Sequence, residues 1–290
     1  MPFKVQVGPP QVAIHQGQTV LVTDPDAQIP WPGERGLFFF DTRVLSSWKI
    51  YANGEPWDLL TGGATSYYTS AVHLANRAIL TEDGAIPPRT LGLVVSRSIA
   101  GGMHEDLDLT NYSMKQVRFQ LEIAVRSDFA DIFEVKSGSI VRRGRISTEW
   151  SDSRQELRTT YRNADFMRSL TVTPLREESK AVYANGRLSF EVSLAPGEAW
   201  HCCLLYSLAD GDRQFGAPRH CVWDSDKLQH AGTLADWLRT VLKIRTSNEE
   251  FYRLYHQALE DMAALRLPIA GPDGVSACCG PALVRCPVRP

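Results

Sequence analysis

From about Thr19 to Ser207, apolar and polar positions alternate with a period of two. Val117, Phe119, Leu121 and Ile123 are apolar, and Arg118, Gln120 and Glu122 lie between them, the pattern of a strand with one buried face. Turn signals punctuate this alternation. Asn53-Gly54 separates Trp48–Tyr51 from Trp57–Leu60, Gly101-Gly102 separates Leu93–Ile99 from Glu105–Leu109, and Asn185-Gly186 separates Ala181–Tyr183 from Leu188–Leu194. Such pairs supply the positive φ angles that two-residue hairpins need, so three antiparallel hairpins are expected. No βαβ alternation appears. The pattern predicts a mainly β fold, an antiparallel two-sheet β-sandwich of the supersandwich kind.

After Asp224 the period lengthens. Thr233–Asp236 reads as a capping box ahead of Leu234, Trp237, Leu238, Val241 and Leu242 at helical spacing. Ser247–Glu250 reads as a second box, opening a helix whose apolar stripe is Phe251, Leu254, Tyr255, Ala258, Met262 and Leu265. Pro268 and Gly271-Pro272 stop it. The expected boundaries are a β-domain over 8–224, two C-terminal linker helices over 225–269 and an irregular tail over 270–290. So continuous a stripe calls for a partner surface, from the sandwich or from helices beyond this chain.

Composition narrows the function classes. Apolar content of 43% and charged content of 22% suit a globular chain, and a formal charge of −2 gives no footprint for nucleic acid or an anionic membrane. No run approaches the roughly 18 apolar residues of a spanning helix. The N-terminus lacks the apolar core of a signal peptide, so a cytoplasmic location is expected. Cys202 and Cys203 are adjacent and Cys221 stands apart, which reads as buried thiols rather than a disulfide framework. Cys278, Cys279 and Cys286 fall in a tail, Ala277–Pro290, that has no apolar period.

Candidate chemistry is sparse. Asp128, Asp131 and Glu134 follow a strand at a spacing of three, which could suit a metal or an acid/base pair. The spacing better suits Asx caps at Asp128 and Asp131, with Phe129, Ile132 and Phe133 anchored in the core. Asp41 and Arg43 lie two apart on an aromatic strand, on one face, where they could pair or jointly meet a polar ligand. Trp31, Trp48, Trp57 and the pair Tyr67-Tyr68 could stack on sugar rings or fill the core. The histidines at 15, 73, 104, 201, 220, 230 and 256 show no metal-ligand spacing. No phosphate loop, nucleophile elbow or HExxH motif occurs, so no catalytic residue, cofactor or metal is expected.

Four blocks carry a resemblance: Gly36–Ser46 (GLFFFDTRVLS), Asn53-Gly54, Arg97–Gly102 and Asp128–Val135 (DFADIFEV). In order and spacing they resemble the N-terminal domain of the bacterial and archaeal glycogen-debranching (amylo-α-1,6-glucosidase-like) family, over about Gly8 to Ile269. The resemblance implies a non-catalytic β-sandwich ahead of an (α/α)6 barrel, a glycoside hydrolase in which the barrel's carboxylates cleave α-1,6 branches. It implies α-glucan (glycogen or limit dextrin) as the parent's partner; which residues contact it is not implied, and the residue patterns above offer Asp41, Arg43, Tyr67 and Tyr68 as candidates. The family's first barrel signature, of the form A-G-x-P-W-F-x-x-x-F-G-R-D, is replaced here by Ala277–Pro290. Back-translated with suitable synonymous codons and read one base later, that peptide gives P-A-A-G-L-P-W-F-V-A-P-F-G-R. The expectation is therefore a frameshift near Val275–Ala277 and truncation before the barrel. Two other readings remain open: a free-standing carbohydrate-binding module with an exposed aromatic platform, and a sugar epimerase or mutarotase with His and acid converging on a concave sheet.

Overall fold

A computed structural model describes residues 9–82, 84–175, 179–222, 229–265, 267–270 and 276–279. In chain order the first strands are β1 (Val12–Gln16), β2 (Thr19–Thr23), β3 (Gly36–Phe39), β4 (Thr42–Leu45), β5 (Ser47–Ala52), β6 (Glu55–Ala64) and β7 (Thr69–Asn76). Next come β8 (Ile79–Thr81), β9 (Gly84–Ile86), β10 (Leu91–Ala100), β11 (Gly102–Asn111), β12 (Val117–Arg126) and the short β13 (Ala130–Asp131), which leads into helix α1 (Ile132–Ser137). Then follow β14 (Arg145–Ser151), β15 (Glu156–Asn163), β16 (Phe166–Leu175), β17 (Val182–Ala184), β18 (Arg187–Leu194), β19 (Ala199–Asp210) and β20 (Arg213–Phe215). Helices α2 (Gln229–Thr240) and α3 (Glu249–Ala264) precede a small ladder of β21 (Leu267–Ala270) and β22 (Ser276–Cys279).

All the pairings among the described residues are antiparallel, and the expected sandwich is present. Its two layers belong to one large sheet, ordered β14-β15-β16-β19-β11-β10-β7-β6-β5-β12-β18-β17. The join between layers is slight, since β5 meets β6 only at Tyr51↔Pro56 and Ala52↔Glu55. A separate sheet, β1-β2-β3-β4-β13, carries the first and last of the sequence blocks. All three expected hairpins occur, with Asn53-Gly54 and Asn185-Gly186 at positive φ in their turns and Gly101 at φ 76° in the third. The alternation in β12 is borne out residue by residue: Val117, Phe119, Leu121 and Ile123 are buried.

One apolar cluster runs through both layers, from Ile14 and Leu37 to Phe190 and Leu208. Each fully buried Leu, Ile or Phe contributes about 1.5–3 kcal/mol, so this cluster rather than any single cap holds the layers together. Phe190 of β18 meets Trp200 of β19 edge-on at 5.6 Å. A polar knot crosses the same interior. Arg97 Nε donates to Glu105 Oε2 at 2.6 Å, and its guanidinium lies 4.2 Å from the Trp48 ring centre. Trp48 Nε1 and the Tyr206 hydroxyl both donate to Glu105 Oε1. Burial, and then the Glu105 charge, push the Tyr206 phenol well above its ordinary pKa, so it remains a donor.

Both expected helices are present, but the first begins earlier than its box suggested. Helix α2 opens at Gln229, which places Thr233–Asp236 inside it rather than at its cap. The second cap falls on Asn248, whose side chain accepts from Phe251 N–H, one residue beyond the expected Ser247. On α3, Phe251, Leu254, Met262 and Leu265 are exposed, while Leu259 and Ala264 are buried. The segment expected to be irregular contains an ordered ladder, since Ser276–Cys279 pairs with Leu267–Ala270. A four-residue ladder needs no long alternation, so nothing in the apolar pattern announced it. The rest of that tail, and Val275 at the start of the expected frameshift junction Val275–Ala277, lie outside the described residues.

Candidate functional site

The first block forms the β3–β4 hairpin. Phe40 adopts a left-handed φ of 52°, which ends β3 and puts Asp41 in the turn, while Arg43 lies on β4. The expected shared strand face for Asp41 and Arg43 therefore does not form. Arg43 turns inward, is 1% exposed and holds Asp128 with two bonds, Nη2 to Oδ2 at 2.5 Å and Nε to Oδ1 at 3.2 Å. Its Nη1 also donates to the carbonyls of Gly33 and Arg35. Gly36 makes room for this guanidinium, because a Cβ there would stand 2.6 Å from Arg43 Cδ. Asp41 instead meets Arg168 Nη1 at 3.0 Å, and the same nitrogen donates to Thr42 Oγ1.

The last block forms β13 and α1. Asp131 is the N-cap of α1, with Glu134 completing a capping box, and Gly138 ends the helix in the left-handed region. Phe129, at φ 51°, is buried and stacks on Tyr161 at 5.7 Å. Ile132 and Phe133 do not anchor the turn as the spacing suggested: Phe133 is 79% exposed. They occupy the first turn of a six-residue helix that is too short to bury more than one side, and Val135 takes that side.

Between the two blocks lies a cleft of about 240 Å³, lined by Asp41, Asp131, Arg143, Tyr161, Phe166 and Arg168 among others. Arg168 is its organising charge, set 4.9 Å from the Phe166 ring and hydrogen-bonded to Asp210 at 3.3 Å. Burial works to raise the Asp210 pKa, but hydrogen bonds and charge from Arg213 and Arg168 outweigh it and hold the carboxyl below the ordinary range. The carboxylates along the cleft are already engaged: Asp128 by Arg43, Asp131 by the cap, and Glu134 by Asp131 N–H and Arg143. Asp41, with its side chain 62% exposed, is the one presented most openly. Across α1 a second cavity of about 380 Å³ is bordered by Trp31, Glu34, Lys136 and Ile140, with Trp31 48% exposed. Exposed aromatic faces beside charged hydrogen-bonding groups suit a polyhydroxylated ligand.

Residues 14–205 match the family described as the N-terminal domain of some glycogen debranching enzymes. The chain belongs to this family. In this debranching-enzyme N-terminal domain, the family's first and last blocks thus form one wall of a polar cleft. No curated protein sequence matches the chain. Among solved structures, a protein assigned as kojibiose phosphorylase, from the human microbiome, is similar over 88% of this chain and 39% of its own, at 11% identity and TM-score 0.50. This chain thus spans about two-fifths of that protein, and the likeness is one of fold. An assigned aldose 1-epimerase from Escherichia coli K12 aligns over 69% of this chain and 99% of its own, at 10% identity and TM-score 0.41. A galactose mutarotase related enzyme from Lactobacillus acidophilus aligns over 71% and 99%, at 9% identity and TM-score 0.37.

Of the residues singled out from sequence, Asp41 lines the cleft and Arg43 braces it from behind. Tyr67 and Tyr68 contact each other edge-on at 4.9 Å, with Tyr68 buried, and they lie outside the cleft lining. Arg168 was missed, because β16 carries no motif and meets Asp41 across 127 positions of sequence. The histidines at 104 and 201 were also set aside, yet His104 meets the Asp106 carboxylate, and His201 meets the Asp108 carboxylate and the Cys203 thiol. His104 and Asp106 do converge, as an epimerase reading requires. Both are sealed from solvent, at 0% and 2% exposed, so a sugar ring has no path to them.

Proposed function

We propose that this domain is a non-catalytic part of a glycogen-debranching-type glycosidase, packing beside an (α/α)6 barrel and bordering its α-glucan cleft. The observation that carries the reading is the family match over 14–205, together with the meeting of the family's first and last blocks at one cleft. The engaged state of Asp128, Asp131 and Glu134 supports a binding role over an acid/base one, since catalysis needs a carboxyl free to exchange a proton with substrate. The apolar stripe exposed on α3 supports a further packing surface, as large exposed apolar side chains in a row mark interfaces. On this reading the barrel is encoded in the frame shifted at Val275–Ala277, and the protein works in the cytoplasm.

The test is glucose release. Purified chain incubated with branched limit dextrin should release none, and measurable release by the chain alone would overturn the reading. A second reading, a free-standing carbohydrate-binding module, is favoured by the 48% exposure of Trp31. Affinity electrophoresis on glycogen separates the two: retardation of the isolated chain that Trp31→Ala abolishes supports the module, and unretarded migration supports the barrel-dependent role.

A further inference from the structure

Strands β11 and β19 run antiparallel, with Asp106 opposite Cys203 and Asp108 opposite His201. Residues two apart on a strand share a face, so His104, Asp106 and Asp108 line up on β11 against His201 and Cys203 on β19. Their neighbours Glu105, Leu107, Cys202 and Leu204 point the other way, into the core. The segment after β20 crosses over this polar face and adds Cys221. One donor atom from each of His104, Asp106, Cys203 and Cys221 falls within 4.8 Å of every other, and all four residues are buried.

Hydrogen bonding fixes how these groups point. His104 Nδ1 lies 2.7 Å from the Pro218 carbonyl, which can only accept, so the proton sits on Nδ1. His201 Nδ1 lies 2.7 Å from Asp108 Oδ1 and is held in the same tautomer. Each ring therefore turns its Nε2 toward the cluster. His104 Nε2 stands 2.9 Å from Asp106 Oδ1, and His201 Nε2 stands 3.1 Å from Cys203 Sγ and 3.8 Å from Cys221 Sγ. Asp106 uses its other oxygen to accept from Val222 N–H at 2.7 Å, leaving Oδ1 for the cluster. Two thiols, an imidazole nitrogen and a carboxylate oxygen thus converge in one buried space, a donor set that suits a metal ion. Ring Nδ1–H groups tied to a carbonyl and a carboxylate are the usual outer shell of imidazoles that bind metal.

The spacing suits a tetrahedral ion. With Zn–S near 2.3 Å, two sulfurs on zinc lie about 3.8 Å apart. Cys203 and Cys221 Sγ are 3.7 Å apart, and Cys203 Sγ is 3.4 Å from Asp106 Oδ1. We propose that this cluster is a zinc site, with Cys203, Cys221, Asp106 and His104 as ligands and His201 capping it from the solvent side. Two thiolates with an imidazole and a carboxylate match a borderline-soft divalent ion rather than Mg²⁺ or Ca²⁺. Binding converts two thiols to thiolates and releases their two protons to solvent. The ion clamps the segment that leaves the sandwich, Pro218–Val222, onto the sheet, with Cys221 eight positions before α2 begins at Gln229.

The experiment uses the full chain, reduced and reconstituted with Zn²⁺ or Co²⁺, with Cys278, Cys279 and Cys286 changed to Ser to silence the tail. Element analysis should give one zinc per chain, and the cobalt form should show a thiolate-to-cobalt charge-transfer band. Cys203→Ser and Cys221→Ser should each weaken that band to half or less. Where a variant misfolds, thiol labelling of the unmutated chain decides: Cys203 and Cys221 should react at least tenfold faster after chelation. Sub-stoichiometric zinc, a cobalt spectrum without the thiolate band or unchanged in Cys221→Ser, or a Cys203–Cys221 disulfide with labelling insensitive to chelator, would overturn the proposal.

Discussion

Asp128→Ala isolates the bond between the two family blocks at the cleft. It removes the carboxylate that faces Arg43 and leaves a guanidinium 1% exposed to solvent. Breaking a buried pair from one side costs about 3–5 kcal/mol, because the remaining charge stays desolvated. Arg43 keeps the Gly33 and Arg35 carbonyls as acceptors, and Asp128 itself is 13% exposed, so the low end applies. The expected loss is therefore about 3 kcal/mol, which at about 2–4 °C per kcal/mol lowers Tm by about 6–12 °C. Urea unfolding followed by circular dichroism measures the change in midpoint at constant slope. The double variant Arg43→Leu/Asp128→Ala removes both charges, and its loss should fall short of the sum of the Arg43→Leu and Asp128→Ala losses by about 1 kcal/mol or more. A single-variant loss below about 0.5 kcal/mol, or additive losses, would refute the assignment of this pair as the brace behind the cleft.

Three further outcomes follow from the same geometry. Gly36→Ala puts a Cβ 2.6 Å from Arg43 Cδ and 2.7 Å from the Leu45 carbonyl; it should destabilise by about 1–3 kcal/mol in the same assay. Asp131→Ala deletes the α1 cap and should cost about 0.5–2 kcal/mol, with hydrogen exchange speeding up first at Phe133 N–H, whose acceptor is lost. Asp210 has a depressed folded pKa, so its contribution is complete above the ordinary carboxylate pKa near 3.9 and fades as pH falls through the folded value. Wild-type stability should thus drop more steeply on acidification through that range than that of Asp210→Asn, and parallel curves would contradict the assigned cause.

Much of the fold was legible because strands announce themselves locally. The buried face of β12 and the Asn53-Gly54 turn needed only neighbours in sequence. The cleft was legible only in part. Asp41 and Arg43 were picked out together, but the positive φ at Phe40 sends them to different partners, and no residue-type rule predicts a left-handed phenylalanine. Their true partners, Arg168 and Asp128, lie 127 and 85 positions away, Asp128 brought in by the pairing of β13 with β4 and Arg168 by the packing of one sheet on the other. The thiol–imidazole cluster hid for the same reason. Its spacing of two, in His104-Glu-Asp106 and His201-Cys-Cys203, is strand spacing, whereas metal sites are usually sought at loop or helix spacing. Phe133 shows the reverse error, since an apolar residue in a motif was assigned to the core and is solvent-facing.

The proposed role makes one kinetic demand. In the barrel-bearing protein that this proposal calls for, Trp31→Ala/Asp41→Ala removes two exposed side chains bordering the clefts, both within the β-domain. The most direct measurement is the steady-state hydrolysis of branched limit dextrin by this variant. A several-fold rise in KM with kcat preserved is the predicted result, because lost uniform binding appears in KM alone. An unchanged KM, or a collapse of kcat, would contradict a glucan-bordering, non-catalytic domain.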